Sequence, residues 1–173
     1  RRVRGKLVPG PCRRLRTGHP PVLAGAEPPE TQREATLVGG IVPHAGWAYS
    51  GALACRVIAR LRRGADPVPE AIVLFGGHLP PSAPNVMMPA GAWETPFGEI
   101  PVAEELAAEI APRFPFRLES PERGLPDNTI ELQLPFLKHF YPEARLLAIA
   151  VPPTEATLVL AAEVVAAARR LGI

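Results

Sequence analysis

The chain has 173 residues, which suits one domain with its own core. Its 47% hydrophobic and 21% charged content argue against a disordered or fibrous chain, and no stretch is long and apolar enough to span a membrane. The net charge of +2 is unevenly spread: seven basic residues (Arg1, Arg2, Arg4, Lys6, Arg13, Arg14 and Arg16) open the chain with no acid among them, leaving 12 basic against 17 acidic residues in the remainder.

Residues 1–36 have no clear hydrophobic period and are rich in Pro, Gly and Arg, so they are read as an irregular basic N-terminal arm. A basic arm can bind nucleic acid, but this one lacks interleaved aromatics. The expectation is a solvated arm, or one lying on the acidic body, with neither nucleic acid nor membrane as partner. No secretory signal pattern stands out. Cys12 lies in the arm and Cys55 in a predicted helix, with no CxxC pair or disulfide framework, which fits a reducing, cytoplasmic setting.

From Leu37 a β-α-β pattern begins, opening an α/β domain over 37–173. The apolar run Leu37–Val42 predicts a buried strand. A helix follows over Ala52–Arg63, with Ser50 as N-cap and Gly64 as stop. Ala71–Phe75 predicts a second strand, and Val86–Pro89 a short one. Ala92–Ile100 reads as two extended pieces around a turn punctuated by Pro96 and Gly98. Residues 102–111 predict an amphipathic helix and Phe116–Leu118 a short strand. Residues 127–140 predict a helix capped by Asp127 or Asn128 and interrupted or kinked at Pro135. Arg145–Val151 predicts an apolar strand, and Thr154–Leu171 a long helix ended by Gly172. This helix carries so much apolar surface that it must cover the sheet or meet further polypeptide. Strands alternating with helices predict an α/β fold with a mainly parallel sheet flanked by helices.

Two histidines occupy equivalent places in this pattern. His44 follows the first predicted strand through Pro43, and His78 follows the second through Gly76-Gly77. Ligands bind at the carboxyl ends of strands in open α/β sheets, and imidazole is a common metal ligand. Two histidines brought to one rim can share a metal. The plainer alternative is a pair of loop histidines bonded to backbone.

The segment Ile41-Val42-Pro43-His44-Ala45-Gly46-Trp47-Ala48-Tyr49-Ser50-Gly51 resembles the signature of the Memo family, Pro-His-Ala-Gly-Tyr-x-Tyr-Ser-Gly, with Trp47 at the first Tyr. Leu74-Phe75-Gly76-Gly77-His78 resembles that family's Leu-Gly-Pro-Ser-His. Glu94-Thr95-Pro96-Phe97-Gly98 resembles its Glu-Thr-Pro-Leu-Gly. Asp127-Asn128-Thr129-Ile130-Glu131-Leu132-Gln133-Leu134-Pro135-Phe136-Leu137 resembles its Glu-His-Ser-Leu-Glu-x-Gln-Leu-Pro-Phe-Leu. The family includes the AmmeMemoRadiSam system protein B group.

The resemblance implies a fold similar to the class III extradiol dioxygenases, which hold non-haem Fe(II) with two histidines and a carboxylate. It implies His44 and His78 as metal ligands. Fe(II) is then the expected cofactor, with Cu or Zn as substitutes and a metal-free protein as the contrary outcome. The third ligand stays open: Glu131 is the nearest carboxylate on a matching motif, though it also suits pairing within its own helix, and Asp127 suits an N-cap. Asn128 stands where the family has His, so a proton-transferring role at that position is absent. Relative to the family the domain is expected to be incomplete on its C-terminal side.

Trp47, Tyr49 and Trp93 are candidates to wall an aromatic-binding cleft, and equally candidates for bulky core plugs. Glu94, Asn128 and Glu131 join them as candidate pocket residues, while His19 and His139 receive no role. The leading functional expectation is a Memo-like metal protein, an oxidoreductase of the dioxygenase type acting on a small aromatic or peptide ligand. The alternative is a non-catalytic peptide- or protein-binding module on a decayed dioxygenase-like fold. A zinc hydrolase ranks last, because no HExxH-like spacing exists. A homo-oligomer is open on this reading.

Overall fold

A computed structural model of the protein describes residues 2–3, 37–120 and 127–173. The expected arm therefore lies outside the described residues, apart from Arg2–Val3 (β1). Two sheets organise the rest. The larger has four strands in the order β2 (Ala71–Gly76), β7 (Arg145–Ala150), β3 (Asn85–Met87) and β6 (Phe116–Leu118). The smaller joins β1 to the hairpin β4 (Ala92–Thr95) and β5 (Gly98–Pro101).

The large sheet is mixed. β2 runs parallel to β7 and β3 parallel to β6, as expected, but β3 runs against β7. The reason is the link from β2 to β3. Residues 77–84 hold no helix, and a parallel return needs a crossover of about a dozen residues or more. A shorter link turns the chain back.

Side chains of β7 alternate between two cores, as a strand buried on both faces requires. Leu146, Ala148 and Ala150 join Ala54, Ile58, Leu134 and Phe136 on one face. Leu147 and Ile149 join Leu106, Ile110, Leu160 and Val164 on the other. The first face is covered by α1 (Ala52–Gly64) and α4 (Leu134–Phe140), the second by α2 (Glu104–Ile110) and α5 (Glu155–Leu171). The result is a helix–sheet–helix layering.

Three expectations need correction. Residues 37–42 form no strand. Val38 is 98% and Ile41 94% exposed, while Gly40 sits so close to α1 that a Cβ would lie 2.9 Å from Val57 Cγ1. The segment lies against the helix, and a cavity of about 200 Å³ separates it from edge strand β2. Ser50 is not an N-cap. It falls inside a π-helical turn, Trp47–Gly51, that leads into α1, and its hydroxyl accepts Ala45 N–H at 3.0 Å. The expected helix over 127–140 is divided into α3 (Asn128–Glu131) and α4, with Pro135 in the first turn of α4 where its missing N–H costs nothing.

Candidate functional site

His78 lies two residues beyond the carboxyl end of β2, and Gly77 makes the turn that brings it there. Gly77 has φ +106°, and a Cβ on it would lie 2.8 Å from Ala150 Cβ. Only glycine takes that backbone so close to β7 without strain. His44 stands just before the π turn, where Gly46 takes φ +91°. The two imidazoles meet edge to face with ring centroids 5.2 Å apart and planes at 74°. Both residues are exposed, so the pair is open to solvent.

Both histidine loops are fastened to the segment 127–133. Asn128 Nδ2 donates to the His44 carbonyl at 3.2 Å, and Gln133 Nε2 to the Pro43 carbonyl at 3.1 Å. Trp47 Nε1 donates to the Leu132 carbonyl at 2.9 Å. On the other side Gly77 N–H donates to Thr129 Oγ1 at 2.6 Å, and that hydroxyl donates to Asp127 Oδ1 at 2.6 Å. The same Asp127 oxygen accepts Thr129 N–H at 2.8 Å, capping α3 as expected. It also lies 3.9 Å from His78 Nδ1. Asp127 is thus both cap and neighbour of the imidazole.

A cavity of about 220 Å³ opens beside His78. Leu79, Met87, Trp93 and Ile130 give it apolar walls; Asp127, Glu131 and the paired Arg117 and Glu119 give it charge. Glu131 Oε1 accepts Asp127 N–H at 3.1 Å. Burial pushes the Glu131 carboxyl above its ordinary range, against the lowering effect of that hydrogen bond. Trp93 Nε1 is buried and meets no acceptor among the described residues.

Of the candidate pocket residues, Trp93 and Glu131 line this cavity. Trp47 does not: its ring lies 5.6 Å from that of Phe136, which makes it a core plug. Tyr49 is 88% exposed. Glu94 sits in β4 opposite Glu99, and Asn128 is engaged by the His44 carbonyl. Sequence reasoning passed over Thr129 and Gln133, although both lie in the matched 127–137 motif.

As metal donors, the histidine pair fits. A ring separation of 5.2 Å allows one ion to bond a nitrogen of each at about 2.0–2.1 Å. The described residues contain no group of three His, Cys, Asp or Glu placed to hold a metal, so Asp127 stands beside the pair, not in a closed triad.

Fold and site together define an α/β protein with two imidazoles gathered at the strand-end rim of its sheet. A model of the Memo-like protein family matches residues 21–170, and the chain belongs to that family. The match begins inside the expected arm. A MEMO1 family protein of Aquifex aeolicus is 34% identical over 120 residues, 69% of this chain and 42% of the relative. One from Thermococcus onnurineus is 34% identical over 122 residues, 70% and 41%. One from Caldivirga maquilingensis is 34% identical over 110 residues, 63% and 38%. The chain spans about two fifths of the length of these relatives.

Proposed function

We propose that His44 and His78 hold one divalent transition metal, Fe(II) by preference, and that the chain supplies the metal-binding part of a dioxygenase-type oxidoreductase sharing the class III extradiol fold. The observation that carries this reading is the 5.2 Å approach of the two imidazoles. When bound, such an ion offers open positions to oxygen and an organic substrate.

The protein's own residues have distinct tasks. Asp127 Oδ1 lies 3.9 Å from Nδ1 of His78; we assign Nε2 of that ring as the ligating nitrogen, with Asp127 as the carboxylate beside it. The cavity receives the substrate, with Leu79, Met87, Trp93 and Ile130 as its apolar walls. Glu131 on its wall, whose carboxyl burial pushes above its ordinary range, is the residue we assign to the proton transfer that Asn128 cannot perform.

Elemental mass spectrometry of the chain, as purified and after anaerobic Fe(II), Cu or Zn loading, tests the proposal beside a His44→Ala/His78→Ala double variant. One metal per chain that vanishes in the variant is expected. No metal in either protein overturns it. The same cavity would then be read as the recognition groove of a peptide- or protein-binding module.

A further inference from the structure

Helix α5 is apolar on two sides. Leu160, Val164 and Ala167 form the stripe it buries. A second stripe faces solvent: Leu158 is 72% exposed, Val159 63% and Val165 51%, with Ala162 exposed between them. Scattered surface apolar residues need no explanation, but an ordered stripe does. Its two ends carry opposite charge, Glu155 at the N-terminal end and Arg169 at the C-terminal end, both exposed. Neither belongs to the Glu109–Arg113–Glu163–Arg170 ion-pair network, which lies on a different side of the helix.

Positions 155, 158, 159, 162, 165, 166 and 169 follow the three-and-four spacing of a helix–helix seam. They are also symmetric in sequence about Ala162. We propose that this face of α5 is the docking surface for a second copy of the chain, the two helices antiparallel about a two-fold axis at Ala162. Glu155 then faces Arg169 of the second copy, Leu158 faces Ala166, and Val159 faces Val165. A parallel pairing would set like charge against like. The antiparallel one sets each acid on a base and opposes the helix dipoles. Such an interface is self-complementary, as a two-fold requires. Exposed ion pairs add little affinity, so the apolar stripe supplies attraction and the end charges choose orientation. The alanine at the axis lets the backbones approach closely. None of this depends on the metal reading.

Sedimentation velocity over a concentration series reads the association directly. A monomer–dimer equilibrium is expected, abolished by Val159→Asp. Glu155→Arg and Arg169→Glu should each weaken association by roughly tenfold, and the double swap should restore it. Orientation is read by oxidative cross-linking in a Cys12→Ser background: Ala162→Cys should form a disulfide-linked dimer, because only the axial position meets itself, and Ala156→Cys should not. Far-UV circular dichroism confirms that each variant is folded. A protein monomeric at every concentration overturns the proposal. So does a dimer that survives Val159→Asp, or a charge swap no better than its single variants.

Discussion

The Thr129 hydroxyl accepts the Gly77 N–H at 2.6 Å, tying α3 to the turn that ends in His78. The contact is tight on both sides. A Cβ at the adjoining Gly76 would overlap Thr129 Oγ1 and come within 3.1 Å of Ile130 Cγ1. Because the same hydroxyl passes its proton to Asp127 Oδ1, one side chain joins the turn, the cap and the carboxylate beside His78.

Thr129→Val keeps the shape and removes both bonds. It should cost about 1–3 kcal/mol, since the Gly77 N–H loses its acceptor, while Asp127 Oδ1 gives up one of its two donors and keeps the backbone N–H of residue 129. Urea denaturation measures this. Thr129→Ser, which keeps the hydroxyl, should recover most of the loss. A Val variant as stable as the parent would show that the turn is held by packing alone.

Asp127→Asn separates the carboxylate's charge from its capping role, because Asn also caps helices well. Stability should fall by less than about 1 kcal/mol, while affinity for a loaded metal should fall about 10–100-fold. Isothermal titration of both proteins checks this. Equal affinities would remove Asp127 from any part in orienting His78.

The two tryptophans should respond oppositely to replacement by Phe. Trp47→Phe strands the Leu132 carbonyl, which now accepts the indole N–H at 2.9 Å, and should cost about 1 kcal/mol or more. Trp93→Phe deletes a buried donor without a partner among the described residues, and should be neutral or stabilising. Thermal melts of the pair decide the matter.

Cys55 is fully buried, and burial pushes its thiol from 9.0 up to about 11, with Arg56 opposing. The folded value lies above the unfolded one. The associated stability is therefore complete below pH 9 and is lost as pH rises towards 11, by about 2–3 kcal/mol in total. Denaturant midpoints should decline over that window and stay flatter in Cys55→Ala. At pH 8 a thiol reagent should modify Cys55 only on unfolding.

Much of this fold is readable from the chain because its signals are local. The apolar run of β7, the Gly172 stop of α5 and the Asp127 cap each depend on near neighbours. The run 37–42 misleads because its apolarity suits a strand, while Gly40 gives it a closer fit on Val57 and Leu61 of α1. The antiparallel placement of β3 was hidden because hydrophobic pattern carries no strand direction. The approach of His44 to His78 was legible from the matched motifs and from the place of His78 after β2, although the strand expected before His44 does not form. The carboxylate beside them was not, because it depends on a hydrogen bond between Gly77 and Thr129 that no spacing rule announces. Trp47 was ambiguous for a similar reason: core plug and cleft wall have the same composition.

Asn128 and Thr129 are consecutive residues of one four-residue helix, α3, and they grip different histidine loops. The two imidazoles are thereby referenced to a common rigid body, not to each other. The pair is carried as one unit: a displacement of α3 would move both histidine loops in the same sense, while the bonds of Gln133 and Trp47 keep the His44 loop seated on the residues that follow the helix.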